Sequence, residues 1–152
     1  MFEARSVDRA TPGERASSGP VSGEAAEKIR VLIVDDNPVV RDGLRSILTA
    51  NTDIDVVGEA GDGLRAIDLA GDLLPDVVLM DVQMPGMDGI EATRIIKQRL
   101  PALKILFLTV HMEHAGAALL AEADGYLLKD CGRHTLLQAI RELGSRQIMQ
   151  GG

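Results

Sequence analysis

The chain has 152 residues, enough for one domain with a buried core. Apolar residues make up 45% of it and aromatic residues 2%, so the core must rest on Val, Leu, Ile, Ala and Met, and recognition of nucleic acid by aromatic stacking is disfavoured. The formal charge of -7, with no run of Lys or Arg, argues against direct contact with a phosphate backbone.

The single cysteine, Cys131, excludes an internal disulfide framework and fits a reducing, cytoplasmic compartment. The longest apolar runs, such as Ile105 to Val110, are too short to cross a bilayer, and the first residues lack the apolar segment of a signal peptide, so a soluble protein without membrane contact is expected. Residues 1–28 mix Ser, Gly, Pro, Ala and both charge signs without an apolar period, which predicts a flexible N-terminal tail.

From Ile29 onward, short apolar runs alternate with helical patterns. The order is IRVLIV, PVVRDGLRSILTA, IDVVGEA, GLRAIDLAG, DVVLM, GIEATRIIKQRL, KILFLTV, an Ala-rich segment, DGYLLK and TLLQAIREL, which makes five strand-helix units. In the first helix Val40, Leu44, Ile47 and Leu48 share a face, Asn37 offers an N-cap, and Pro38 suits the first helical position. The first, third and fourth strands are continuous apolar runs, as central parallel strands covered on both faces require. Right-handed crossovers then give a doubly wound, three-layer α/β sandwich around a five-stranded parallel sheet.

Ligands of such sheets bind beyond the carboxyl ends of the strands. There the sequence places Asp35 and Asp36 after the first strand, Asp81 after the third, Thr109 at the end of the fourth, and Lys129 after the fifth. Each alone has an ordinary explanation as a helix cap or a solvated charge. Together, three carboxylates repel one another, each pair at about 4 Å by roughly 4 kcal/mol at moderate dielectric. A cation is needed, and oxygen donors without His or Cys ligand spacing favour Mg²⁺ over Zn²⁺. A hydroxyl and an ammonium facing the acids complete a pocket for a phosphoryl group.

The stretches VDDNP, LMDVQMPGMDG, FLTV and GYLLKD, in this order, resemble the receiver (CheY-like) domain of two-component response regulators over about residues 29–145. GYLLKD, with no proline after the lysine, is most similar to the NarL/FixJ subfamily. The resemblance implies a flavodoxin-like (βα)5 fold, a C-terminal tail over 146–152, and a phosphoacceptor signalling role, with catalysis limited to the domain's own phosphotransfer and dephosphorylation. Asp81 would take the phosphoryl group from a sensor histidine kinase or a phosphotransfer protein. Asp36, Asp81 and the backbone carbonyl of Gln83 would ligate Mg²⁺, and Asp35 would act largely through water. Lys129 would pair with Asp81 and then with the phosphoryl oxygens, and Thr109 would hydrogen-bond the phosphoryl group. Tyr126 stands at the position of the switch aromatic, which turns inward as Thr109 moves and alters the face built by the fourth helix, fifth strand and fifth helix. Gln83 and His111, two residues beyond Asp81 and Thr109, would tune phosphate lifetime.

Between Thr109 and Lys129 the chain is about two residues shorter than the family's usual length, and Glu122 stands where a glycine is common. The fourth predicted helix is poor in large side chains, with Ala115, Gly116, Ala117 and Ala118 in a row, and the fifth has Cys131 and Gly132 in place of a Ser or Thr cap. The subfamily usually carries a DNA-binding helix-turn-helix, which this sequence has no space for, so a stand-alone receiver and a fragment of a transcription regulator are both open. A homodimer through the first and fifth helices, or through the face of the fourth, is equally open. Two rivals differ in class. A haloacid-dehalogenase-type hydrolase needs a second Asp where Gln83 stands, and an interaction module of the same fold would bind its partner constitutively without phosphorylation.

Overall fold

The computed structural model describes residues 27–111, 113, 116–117 and 121–151, with the side chains of 146–151 excepted. Residues 1–26 of the expected N-terminal tail lie outside the described residues, and so does most of the fourth predicted helix. The chain forms β1 (Ile29–Val34), α1 (Pro38–Thr49), β2 (Ile54–Ala60), α2 (Gly63–Leu73), β3 (Val77–Asp81), α3 (Gly89–Arg99), β4 (Lys104–Thr109), β5 (Gly125–Leu128) and α4 (Arg133–Gly151). The last helix is thus the fifth of the sequence pattern. Its backbone continues through Gly151, where a tail from residue 146 was expected.

All pairings are parallel, and the strand order β2-β1-β3-β4-β5 is that of the flavodoxin-like fold. The most apolar runs take the middle: β3 is buried throughout, and β1 and β4 are buried at all but one residue each. Alternation along each strand divides the core. Leu32, Val34, Val78, Met80, Ile105 and Phe107 face Ala66 and Ala70 of α2 and Ala92 and Ile96 of α3. Val31, Ile33, Val77, Leu79, Leu106 and Leu108 face Leu48 of α1 and Leu136 and Ile140 of α4. This gives three layers, with two helices on each face among the described residues.

Local signals set the helix starts. The Asn37 side chain accepts from Val39 N at 2.9 Å with Pro38 beginning α1, Asp62 accepts from Arg65 N at 2.8 Å, and Asp88 accepts from Glu91 N at 2.9 Å. Helix α4 begins differently. Gly132 takes φ +88 and its carbonyl receives Leu136 N at 3.2 Å, a left-handed entry that glycine makes without steric cost. Among the described residues no helix is long and apolar enough to cross a membrane.

Candidate functional site

The last ladder residue of β1 is Val34, and the chain departs from strand geometry directly after it. Side chains of successive strand residues point to opposite faces, so Asp35 and Asp36 reach one crevice only because of this departure. Asp35 N still donates to Ala60 O at 3.0 Å, while the Asp35 carboxylate turns back to receive Asn37 N on Oδ1 at 2.9 Å. Asp81 is the final residue of β3 and is 6% exposed. The loop after it folds back so tightly that Gly89 N donates to Val82 O at 2.8 Å, and a Cβ on Gly89 would lie 2.0 Å from Asp81 O. Only glycine fits there.

Asp35, Asp36 and Asp81 each offer a carboxylate oxygen within 4.8 Å of the others. Lys129, one residue past β5, is aligned by its own amide, which donates to Thr109 O at 2.7 Å. Its Nζ sits 2.7 Å from Asp35 Oδ2 and 3.4 Å from Asp81 Oδ1. The shorter contact is to Asp35, not to the Asp81 emphasised by sequence. Three carboxylates against one ammonium leave a double negative charge, which one divalent cation balances. The donors are all carboxylates, with no His or Cys in the group, and such hard oxygen ligands suit Mg²⁺. Asp35 has Oδ1 on Asn37 and Oδ2 on Lys129, which leaves Asp36 and Asp81 as the better direct ligands.

Burial first, then the neighbouring charge of Asp35, raises the Asp81 pKa to about 6, although Lys129 pulls the other way. For Lys129 burial works against the charge, but the hydrogen bond to Asp35 and the charge of Asp81 outweigh it and hold the pKa above the ordinary lysine value. The site stores anionic repulsion that a cation relieves.

Thr109 ends β4 fully inside the protein, and its Oγ1 accepts His111 N at 3.4 Å. Tyr126 pairs in register with Phe107, and their rings meet edge to face at 6.3 Å. The Tyr126 hydroxyl donates to His111 O at 2.6 Å, tying β5 to the segment after Thr109. Gln83 and His111 are exposed, Gln83 in the loop between β3 and α3. The structure therefore brings Asp35, Asp36, Asp81 and Lys129 into contact range, with Thr109 at the end of the neighbouring strand.

Sequence reasoning overlooked Arg41. Its Nη1 donates to the carbonyl of Asp35 at 2.5 Å, and its Nε lies 3.3 Å from Glu59 Oε1. The available signal was indirect: two consecutive acids serving one crevice force the backbone out of its ladder, and a displaced carbonyl needs a donor.

A family model described as the response regulator receiver domain matches residues 31–141. The chain belongs to that family. The receiver is 50% identical over 117 residues to the transcriptional regulatory protein YxjL of Bacillus subtilis, covering 76% of this chain and 54% of that one. It is 45% identical over 116 residues to the response regulator VraR of Staphylococcus aureus, covering 75% of this chain and 56% of the other. The signal receiver domain of NarL from Mycobacterium tuberculosis superposes with a TM-score of 0.74 at 37% identity, over 78% of this receiver and 98% of that chain. These relatives are of the NarL/LuxR type, and the receiver spans about half the length of the curated ones, 54% of YxjL for instance. A receiver of two-component regulators is not a classical enzyme, so the hydrolase reading falls away.

Proposed function

We propose that this receiver accepts a phosphoryl group on Asp81 from a sensor histidine kinase or a phosphotransfer protein and thereby switches a protein-interaction or dimerisation surface. The observation that carries the reading is the meeting of three carboxylates with one ammonium at the carboxyl ends of β1, β3 and β5. A carboxylate oxygen of Asp81 attacks the phosphorus of a phosphohistidine, the new O–P bond forms as the P–N bond breaks, and the imidazole keeps the electron pair. Asp36, Asp81 and the Gln83 carbonyl, with Asp35 acting through water, would hold Mg²⁺, which when bound supplies positive charge against the phosphoryl oxygens. Lys129 adds its ammonium and Thr109 its hydroxyl, so the protein's part is positioning and charge neutralisation.

Tyr126 then serves as the switch. Its hydroxyl holds the His111 carbonyl in this structure, and withdrawal of Thr109 toward the phosphoryl group opens space for the ring. Gln83 and His111 flank the group and set how water reaches it. Relatives named as transcriptional regulators support a role in transcriptional control, without DNA contact by this acidic domain, and the single Cys131 fits the cytoplasm.

Incubation with Mg²⁺ and a small acyl-phosphate donor should add one phosphoryl mass to the intact protein, and Asp81→Asn should add none. A wild type left unmodified by both the small donor and its kinase would overturn this reading in favour of a constitutive interaction module.

A further inference from the structure

Each acid of the Asp35–Asp36 pair is useful only if the peptide between them is held at one orientation. The carbonyl of that peptide belongs to Asp35, and it is the group that Arg41 grips. Arg41 reaches it from the first turn of α1, where its amide donates to Asn37 O at 3.1 Å, so its side chain spans the whole loop Asp35–Asn37. Glu59 of β2 steadies the guanidinium at Nε, and Glu59 is itself held by Arg45 Nε at 3.1 Å from its other oxygen. Gly61 keeps that space open, since a Cβ there would stand a tight 3.3 Å from Arg41 Nη1.

We propose that Arg41 is the positioning residue of the cation site: its guanidinium, outside the carboxylate cluster, fixes the Asp35–Asp36 peptide so that both acids serve one crevice. This rests on the reading of the cluster as a Mg²⁺ site. The bland role, a part-buried ion pair with Glu59 and nothing more, would leave the cluster unaffected. A charge-assisted bond to a backbone carbonyl is stronger, and it acts directly on the chain that carries the ligands.

Charge and position make opposite demands, which allows a test. Arg41 is a cation near a cation site, so its removal by charge alone tightens Mg²⁺ binding. Loss of the peptide tether loosens it. Titration calorimetry on Arg41→Met should show Mg²⁺ bound about tenfold more weakly than by wild type, as for other partners that orient metal ligands. Hydrogen exchange should be faster at the Asn37 amide, and the Mg²⁺ concentration for half-maximal phosphorylation should rise in parallel. Arg41→Lys keeps the charge but cannot fork between Asp35 O and Glu59, so it should lose affinity in the same direction, and it decides the matter if the Met variant folds poorly. Equal or tighter Mg²⁺ binding by either folded variant would overturn the positioning role alone. A wild type that takes up no Mg²⁺ would remove the site reading and this proposal with it.

Discussion

Asp81 is buried beside two other acids, and its carboxyl is held near a pKa of about 6 instead of the usual 3.8. The folded protein therefore holds a proton that the unfolded chain has already released between about pH 4 and 6, and stability contributed by the neutral form is lost as pH rises through that window. Above it, the carboxylate is a standing cost. Asp81→Asn should be more stable than wild type at pH 7.5 in metal-free buffer, by roughly 1–2 kcal/mol. The gain should vanish near pH 4, which urea unfolding at several pH values will check. At this scale the sequence was informative about which residues converge, because strand ends place Asp35, Asp36, Asp81, Thr109 and Lys129 on one edge. The family resemblance paired Lys129 with Asp81 and did not reveal the shorter contact to Asp35. The preference of Lys129 for Asp35 and the reach of Arg41 to a carbonyl depend on side-chain angles and a displaced peptide, neither of which has a residue signature.

Among elements, the connection into β5 shows a local conflict. Glu122 has φ +69, a left-handed conformation that costs a residue with a Cβ about 1–2 kcal/mol. The sequence already marked this as a position where glycine is common, and the backbone supplies the reason. Glu122→Gly relieves the strain but frees the unfolded chain, so a net gain of about 0.5–1 kcal/mol is expected, read as a higher midpoint in urea. Central and edge strands were legible from continuous or interrupted apolar runs, and the Asn37 cap from its place before Pro38. Less visible were the register shift between Val31 and Leu32 and the continuation of α4 past residue 146. Gly58 inside the second strand was the available sign of the bulge and went unread, and the tail of α4 lacks the apolar period that would have announced it.

Across the whole molecule, the site is closed by residues far apart in sequence. Lys129 and Asp35 are 94 positions apart, and their 2.7 Å contact joins the end of edge strand β5 to the end of interior strand β1, across β4 and β3. Lys129→Met would leave Asp35, 2% exposed, without its counter-charge. In chelator the loss should be about 3 kcal/mol, and Mg²⁺ should restore part of it by binding only the folded state. Thermal melts with and without Mg²⁺ will measure both. A larger Mg²⁺ shift in the variant than in wild type is the expected sign.

The same separation divides the site between two strand pairings. Pairing of β1 with β3 gathers Asp35, Asp36 and Asp81 from the part of the chain that ends at Asp81. Lys129 is held there by the pairing of β5 with β4 at the edge of the sheet. Wherever that edge is open, the three carboxylates lack the Lys129 ammonium, and a divalent ion from solution is the charge that can take its place.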